Sequence, residues 1–148
     1  MAAMVTQDFG RAYRTNAVLT ASPGQLVLML YDGALRALGL ARDVCERQAG
    51  EPRSYETINK QLLKAQSIIA ELHDTLNPDA GDGRFAREMG RLYDYFNHRL
   101  MEANLRKDAA PIAEVERLLG EVRSAWAEML RTQGAANSAA SAGAKVLA

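Results

Sequence analysis

The amino-acid sequence predicts an all-α protein, an antiparallel up-down four-helix bundle with an N-terminal arm and a disordered C-terminal tail. Three observations lead there. Helix start and stop signals occur four times along the chain, and strand signals do not occur. In the later segments the apolar residues recur at helical spacing on one face. The four segments have comparable lengths and short connections, so consecutive helices must run antiparallel.

The first helix is expected over about residues 23–49. Ser22, Pro23 and Gln25 form a Ser-x-x-Gln capping box with proline at the first helical position. Gly50 offers a left-handed stop, Pro52 keeps the helix from resuming, and Arg47 lies in the last turn, where a cation complements the dipole. The second helix follows Ser54 and spans about 55–76, because Asn77 precedes Pro78 and is biased away from helical geometry. The loop NPDAGDG leads to a third helix at about 84–107, with Asp82 as its cap. Asp108 caps a fourth at about 110–132, with Pro111 inside the first turn. From Gly134 the composition collapses to AANSAASAGAKVLA, with too little apolar bulk to offset ordering, so residues 134–148 are expected to be a disordered tail. Residues 1–21 form an arm, with Val5, Phe9, Tyr13, Val18 and Leu19 scattered without a sustained period. Such an arm can dock on the body but does not stand alone.

Composition narrows the function. The 148 residues fit one domain with a substantial core. Charged residues make up 24% and balance at 18 against 18, leaving no electrostatic footprint for nucleic acid or an anionic membrane. Binding is expected through shape and apolar surface. The single cysteine, Cys45, makes no intramolecular disulfide, and the N-terminus lacks a charged region followed by an apolar core and cleavage site. A reducing cytoplasm is the expected location. No apolar run approaches membrane-spanning length, the nearest being VLMLY at 27–31, so no membrane insertion is expected.

At about 100° per residue, Ile58, Leu62, Ala65, Ile69, Leu72 and Leu76 fall in one seam of the second helix. Phe85, Met89, Leu92, Phe96, Leu100 and Ala103 do the same in the third. Ile112, Val115, Leu118, Leu119, Val122, Trp126, Met129 and Leu130 form a broader stripe in the fourth. The first helix differs. Leu26, Leu30, Ala34, Ala37, Leu38, Ala41 and Val44 face the core, yet Leu28 and Leu35 share a flank, with Tyr31 at its boundary. Leu63 and Ile68 lie off the second seam, and Tyr95, Met101 and Leu105 lie off the third. Burial of each such side chain contributes roughly 1.5–3 kcal/mol, so a surplus in water is an unused attraction. The arm, a partner helix, a second copy of the chain, or burial on two sides of a crooked bundle would each use it. Small residues at Gly33, Ala34, Ala37 and Gly39 permit close approach of a helix, inside the bundle or outside it.

Chemistry is scarce. A di-iron bundle needs Glu-x-x-His on two helices, whereas Glu71 and His73 are two apart and Glu102 follows His98 by four. No metal site, catalytic residue or cofactor is expected. His73 or His98 as a phosphoryl acceptor is the competing function, set against solvated or hydrogen-bonded helix residues. Glu71, Asp74, Glu88 and Asp94 read as a polar face, and Cys45 as a small buried apolar side chain. There is no Gly-rich phosphate loop or nucleophile elbow.

Four stretches, TASPGQLVLMLYDGALRAL, LLKAQSIIAELHDTLN, RLYDYFNHRLMEANLRKD and EVERLLGEVRSAW, occur in an order that resembles the FliS family of flagellar secretion chaperones. The resemblance covers about residues 9–132, including Tyr13 and Val18 ahead of TASP, and leaves out the tail after Thr132. It implies an antiparallel bundle, with no enzymatic activity, that binds the C-terminal segment of flagellin in the cytoplasm. That segment is disordered before assembly, and its capture prevents premature polymerisation and assists delivery to the export gate of the flagellar type III secretion apparatus. The implied lid is the arm, around Phe9, Tyr13 and Val18. The candidate client contacts are Leu28, Tyr31, Leu35, Leu63, Ile68, Met101 and Leu105, while Trp126 is expected in the core. Whether the chain is a monomer or a homodimer stays open.

Overall fold

A computed structural model of the protein describes residues 21–147, so the arm residues Phe9, Tyr13 and Val18 lie outside the described residues. It contains four helices: α1 (Pro23–Arg47), α2 (Pro52–Asp74), α3 (Arg84–Arg106) and α4 (Ala109–Leu147). Each packs against its neighbours in cyclic order, α1 against α2 and α4, and α3 against α2 and α4. The result is the four-helix bundle expected from the sequence.

The helix ends show where local chemistry decided and where it was misjudged. The capping box at Ser22 forms, with Ser22 Oγ accepting from Gln25 N at 3.3 Å and Gln25 Oε1 accepting from Ser22 N at 3.2 Å. Pro52 does not merely block α1. It occupies the first turn of α2, where its missing N–H has no helical partner to lose, so α2 starts three residues earlier than expected. Ser54 therefore sits inside the helix, buried, and its hydroxyl donates to the Glu51 carbonyl at 2.7 Å. α2 ends at Asp74, two residues before Leu76, with Thr75 Oγ1 donating to Leu72 O at 2.6 Å. Asp82 accepts from Arg84 N at 2.9 Å, but the cap position of α3 itself is Gly83 at φ +75°. Glycine is required there, because an added Cβ would sit 2.7 Å from the Pro78 carbonyl oxygen. Asp108 accepts from Ala110 N at 3.0 Å and opens α4.

The C-terminal segment departs from expectation. α4 continues to Leu147 through residues read as a disordered tail. Residues 131–140 are all exposed, so no packing holds this part of the extension. Alanine has the highest helix propensity, and the packed part of α4 already supplies the nucleus, so each further residue only propagates.

The core is built from Ala34, Leu38, Ala41, Ile58, Leu62, Ala65, Ile69, Leu72, Phe96, Leu100, Ala103, Ile112, Val115 and Leu119. These lie on the seams read from the periodicity, and Cys45 joins them as a buried thiol whose pKa burial pushes up. Three core expectations fail. Leu26 stands at the exposed start of α1, Phe85, 63% exposed, lies in the first turn of α3, and Met129 is exposed near the end of the packed part of α4. Trp126 is half-buried against the core, and its Nε1 donates to Gly24 O at 2.8 Å.

Candidate functional site

The lateral faces of the bundle are not equivalent, and the seams explain why. On the α1–α4 side, Arg42 donates to Glu116 at 2.6 Å and Arg123 to Asp32 at 2.8 Å. On the α3–α4 side, Tyr95 and Arg99 both donate to the Glu114 carboxylate. The Tyr95 hydroxyl and then the Arg99 guanidinium hold that carboxyl below its ordinary range. Charged ties thus close both flanks of α4. The α2–α3 seam is held by amides, with Gln66 Nε2 donating to Asn97 O at 3.2 Å and Asn97 Nδ2 to Gln66 O at 3.3 Å, and by Asn104 donating to Asn59 at 2.7 Å. Among the described residues, no side-chain hydrogen bond or ion pair joins α1 to α2 along their length. That seam is apolar, with Gly33 placed so that a Cβ would stand 3.4 Å from Ile68 Cδ1.

The structure divides the seven candidate contacts. Tyr31 is 2% exposed and belongs to the core, its hydroxyl paired with that of Tyr93 at 2.5 Å across the bundle. Its side chain is therefore enclosed by the bundle instead of standing out on the flank. Burial disfavours the phenolate and raises the pKa of both phenols. Leu28 and Leu35 are half-buried on the flank that faces α4, and Leu35 packs against the core. Much of the surplus on α1 is thus taken up by burial on two sides. Ile68 is likewise half-buried, in the α1–α2 seam.

Leu63, Met101 and Leu105 remain outward-facing, at 52%, 48% and 80% exposed, on the α2–α3 side. Sequence reasoning missed Leu40, 54% exposed on α1, and Tyr55 near the start of α2. Leu40 belongs to the spacing Leu26, Leu30, Gly33, Ala37, Leu40, Val44, a four-three alternation that would have marked a second stripe on α1. At the end of the bundle where α1 begins, an apolar cleft of about 200 Å³ is lined by Val27, Leu76, Ala80, Phe85, Trp126 and the buried tyrosine pair.

The histidines are surface helix residues: His73 Nε2 lies 3.5 Å from Asp94 and His98 Nε2 2.9 Å from Glu102. No group of three or more His, Cys, Asp or Glu among the described residues is arranged to hold a metal ion. No helix among them is long and apolar enough to cross a membrane.

Fold and surface define a four-helix bundle whose α4 side is closed by charge and whose α2 side presents apolar side chains. The family model described as Flagellar protein FliS matches residues 6–133. The chain is 40% identical over 130 residues to the Flagellar secretion chaperone FliS of Bacillus subtilis (strain 168), covering 88% of this chain and 92% of that one. It is 41% identical over 115 residues to the protein of the same name from Salmonella typhimurium, covering 77% and 81%. To that of Escherichia coli (strain K12) it is 35% identical, covering 87% and 91%. The chain belongs to the FliS family. The helical extension of α4 begins where the family match ends.

Proposed function

We propose that this protein is a flagellar export chaperone acting in the cytoplasm, without catalysis, on the C-terminal segment of flagellin. It holds that disordered segment, prevents premature polymerisation and assists its delivery to the flagellar type III secretion apparatus, where the export-gate protein meets it as part of the flagellin complex. The observation that carries this reading is the unpartnered apolar surface flanking α2 in a chain whose relatives bear the name flagellar secretion chaperone. A client that folds on binding needs such a surface, because ordering its backbone costs free energy that only extensive apolar burial offsets. Completing the burial of Leu63, Met101 and Leu105 contributes on the order of 1 kcal/mol or more each.

Leu63, Met101 and Leu105, with Ile68 in the neighbouring seam, form the contact surface in this proposal, and Leu28 and Leu35 on the α4 flank fall outside it. The arm is the lid. Residues 1–20 lead into α1 beside the apolar cleft, so Phe9, Tyr13 and Val18 are on a tether short enough to cover it in competition with a client.

Isothermal titration calorimetry with the C-terminal segment of the cognate flagellin tests the proposal. One-to-one binding with a negative heat-capacity change, greatly weakened by Leu105→Asp in a protein that melts normally, is the expected result. Absence of binding to the wild-type chain refutes the function. Binding that ignores Leu105→Asp and Leu63→Asp refutes the surface.

A further inference from the structure

The α2–α3 groove carries two kinds of feature in line. The Asn59–Asn104 and Gln66–Asn97 ties fix the register of the two antiparallel helices, and by that register Leu63 lies level with Met101, with Leu105 one turn beyond. In the other direction the groove opens into a cleft of about 170 Å³ lined by Ala70, His73, Asp74, Tyr93, Asp94 and Asn97. The apolar end and the cleft are roughly nine residues apart, about 13 Å at a helical rise of about 1.5 Å per residue.

The two carboxylates and the amide oxygen that line the cleft favour a hydrogen-bond donor with positive charge, and no lysine or arginine lines it; its other polar groups are the His73 imidazole and the Tyr93 hydroxyl. Asn97 Nδ2 is committed to Gln66 O, while Asn97 Oδ1 is buried and accepts no hydrogen bond. Asp74 is the last residue of α2, where negative charge opposes the helix dipole, and no described cation pairs with it. Asp94 has His73 at 3.5 Å, an ion pair only when the imidazole is protonated. Arg91, one turn away on α3, comes within ion-pair distance of neither carboxylate.

We propose that this groove docks a helix of the client, with apolar side chains on Leu63, Met101 and Leu105 and a lysine or arginine roughly nine residues along in the Asp74–Asp94 cleft. The inference rests on the export-chaperone reading and adds the client's chemistry to it. The apolar end supplies most of the affinity. The cation fixes which register of an otherwise slippery apolar stripe is bound, since every wrong register leaves the carboxylates unpaired.

The test is calorimetry on the full chain with the C-terminal segment of the cognate flagellin, at low and high salt. The proteins compared are the wild type, Asp74→Asn, the double variant Asp74→Asn/Asp94→Asn, and Leu105→Asp. Both asparagine substitutions keep shape, and Asp74→Asn relieves an unfavourable dipole contact, so melting temperatures stay at or above the wild type. The double variant is expected to bind about tenfold more weakly at low salt, with a smaller gap at high salt. One Lys→Gln or Arg→Gln change in the segment should produce the same loss on the wild type and no further loss on the double variant. Double-variant binding equal to wild type, with Leu105→Asp impaired, would overturn the cleft and leave the chaperone reading standing. A wild type that does not bind the segment would overturn both.

Discussion

The buried tyrosine pair offers a prediction that the structure makes quantitative. Tyr31 and Tyr93 are 2% and 3% exposed, and their hydroxyls face each other at 2.5 Å, joining α1 to α3 through the middle of the bundle. Replacing either residue by phenylalanine leaves the other hydroxyl buried without that partner, which costs about 1–3 kcal/mol. Replacing both removes the mismatch, so the double variant should cost no more than either single one. With singles near 1.5 kcal/mol and a double near 1 kcal/mol, the coupling is about 2 kcal/mol, within the range for residues in direct contact. Urea unfolding, with the slope checked to be constant, reads these differences, and each single variant should melt several degrees lower. The pH dependence gives a second readout. Burial raises both phenols in the folded state, so above about pH 10 the unfolded chain ionises first. The folded state binds more protons there, and stability must fall as pH rises from about 10 toward the folded values. The double phenylalanine variant should lose that part of the alkaline decline. Neutral single variants, or a double variant whose cost equals the sum of the singles, would refute the pairing.

Other perturbations probe the remaining features. Gly83→Ala places a side chain at φ +75° and against the Pro78 carbonyl, and should destabilise the bundle by about 1–3 kcal/mol in urea unfolding without altering client affinity. In Glu114→Gln the anion that binds Tyr95 and Arg99 is lost. Because that carboxyl is held below its ordinary range, its stabilisation is complete above about pH 4.3 and disappears as pH falls through the folded value. The variant should therefore be less stable near neutrality and show a shallower acid decline in thermal melts. Truncation after Gly134 removes a helical extension whose residues through Ala140 are exposed, so circular dichroism should show less helix while the urea midpoint and client binding persist. A fall in midpoint would mean that the extension packs on the body.

What the sequence could and could not reveal follows from which interactions are local. Capping and seam burial depend on residues within a turn or two, so the box at Ser22 and the core stripes through Ile58–Leu72 and Ile112–Leu119 were legible. The same local logic misplaced Pro52, because a proline after a glycine stop serves equally as a barrier to one helix and the first residue of the next. It also misjudged the tail. Composition argues against packing there, and residues 131–140 are indeed exposed, but an alanine-rich segment needs no packing once a nucleus precedes it.

The flank of α1 was beyond any single-helix argument. Leu28, Leu35 and Tyr31 stood out because α1 was measured against one core direction, whereas it has two neighbours at different angles. Which flank meets α4 is decided by the cyclic order of the helices, recorded in pairs such as Asp32–Arg123 and Arg42–Glu116 that are 91 and 74 residues apart. Once α4 is placed, Leu35 is partly covered and Tyr31 is enclosed, and the search for free surface moves to the seams of α2. Beside Leu63 and Met101 the ties are amides instead of ion pairs, and that has a consequence. A charged tie along a seam resists an incoming apolar segment, because displacing either partner strands an ion, whereas the amide ties of α2–α3 carry no charge and the part-buried Gln66–Asn97 pair need not break when a helix covers the groove. Charge on α4 thus directs a client toward α2, and Leu63→Asp and Leu105→Asp should impair binding far more than Met129→Asp, an exposed apolar residue on α4. Equal losses from all three substitutions would show that the client does not distinguish the two sides, and the argument from seam chemistry would fall.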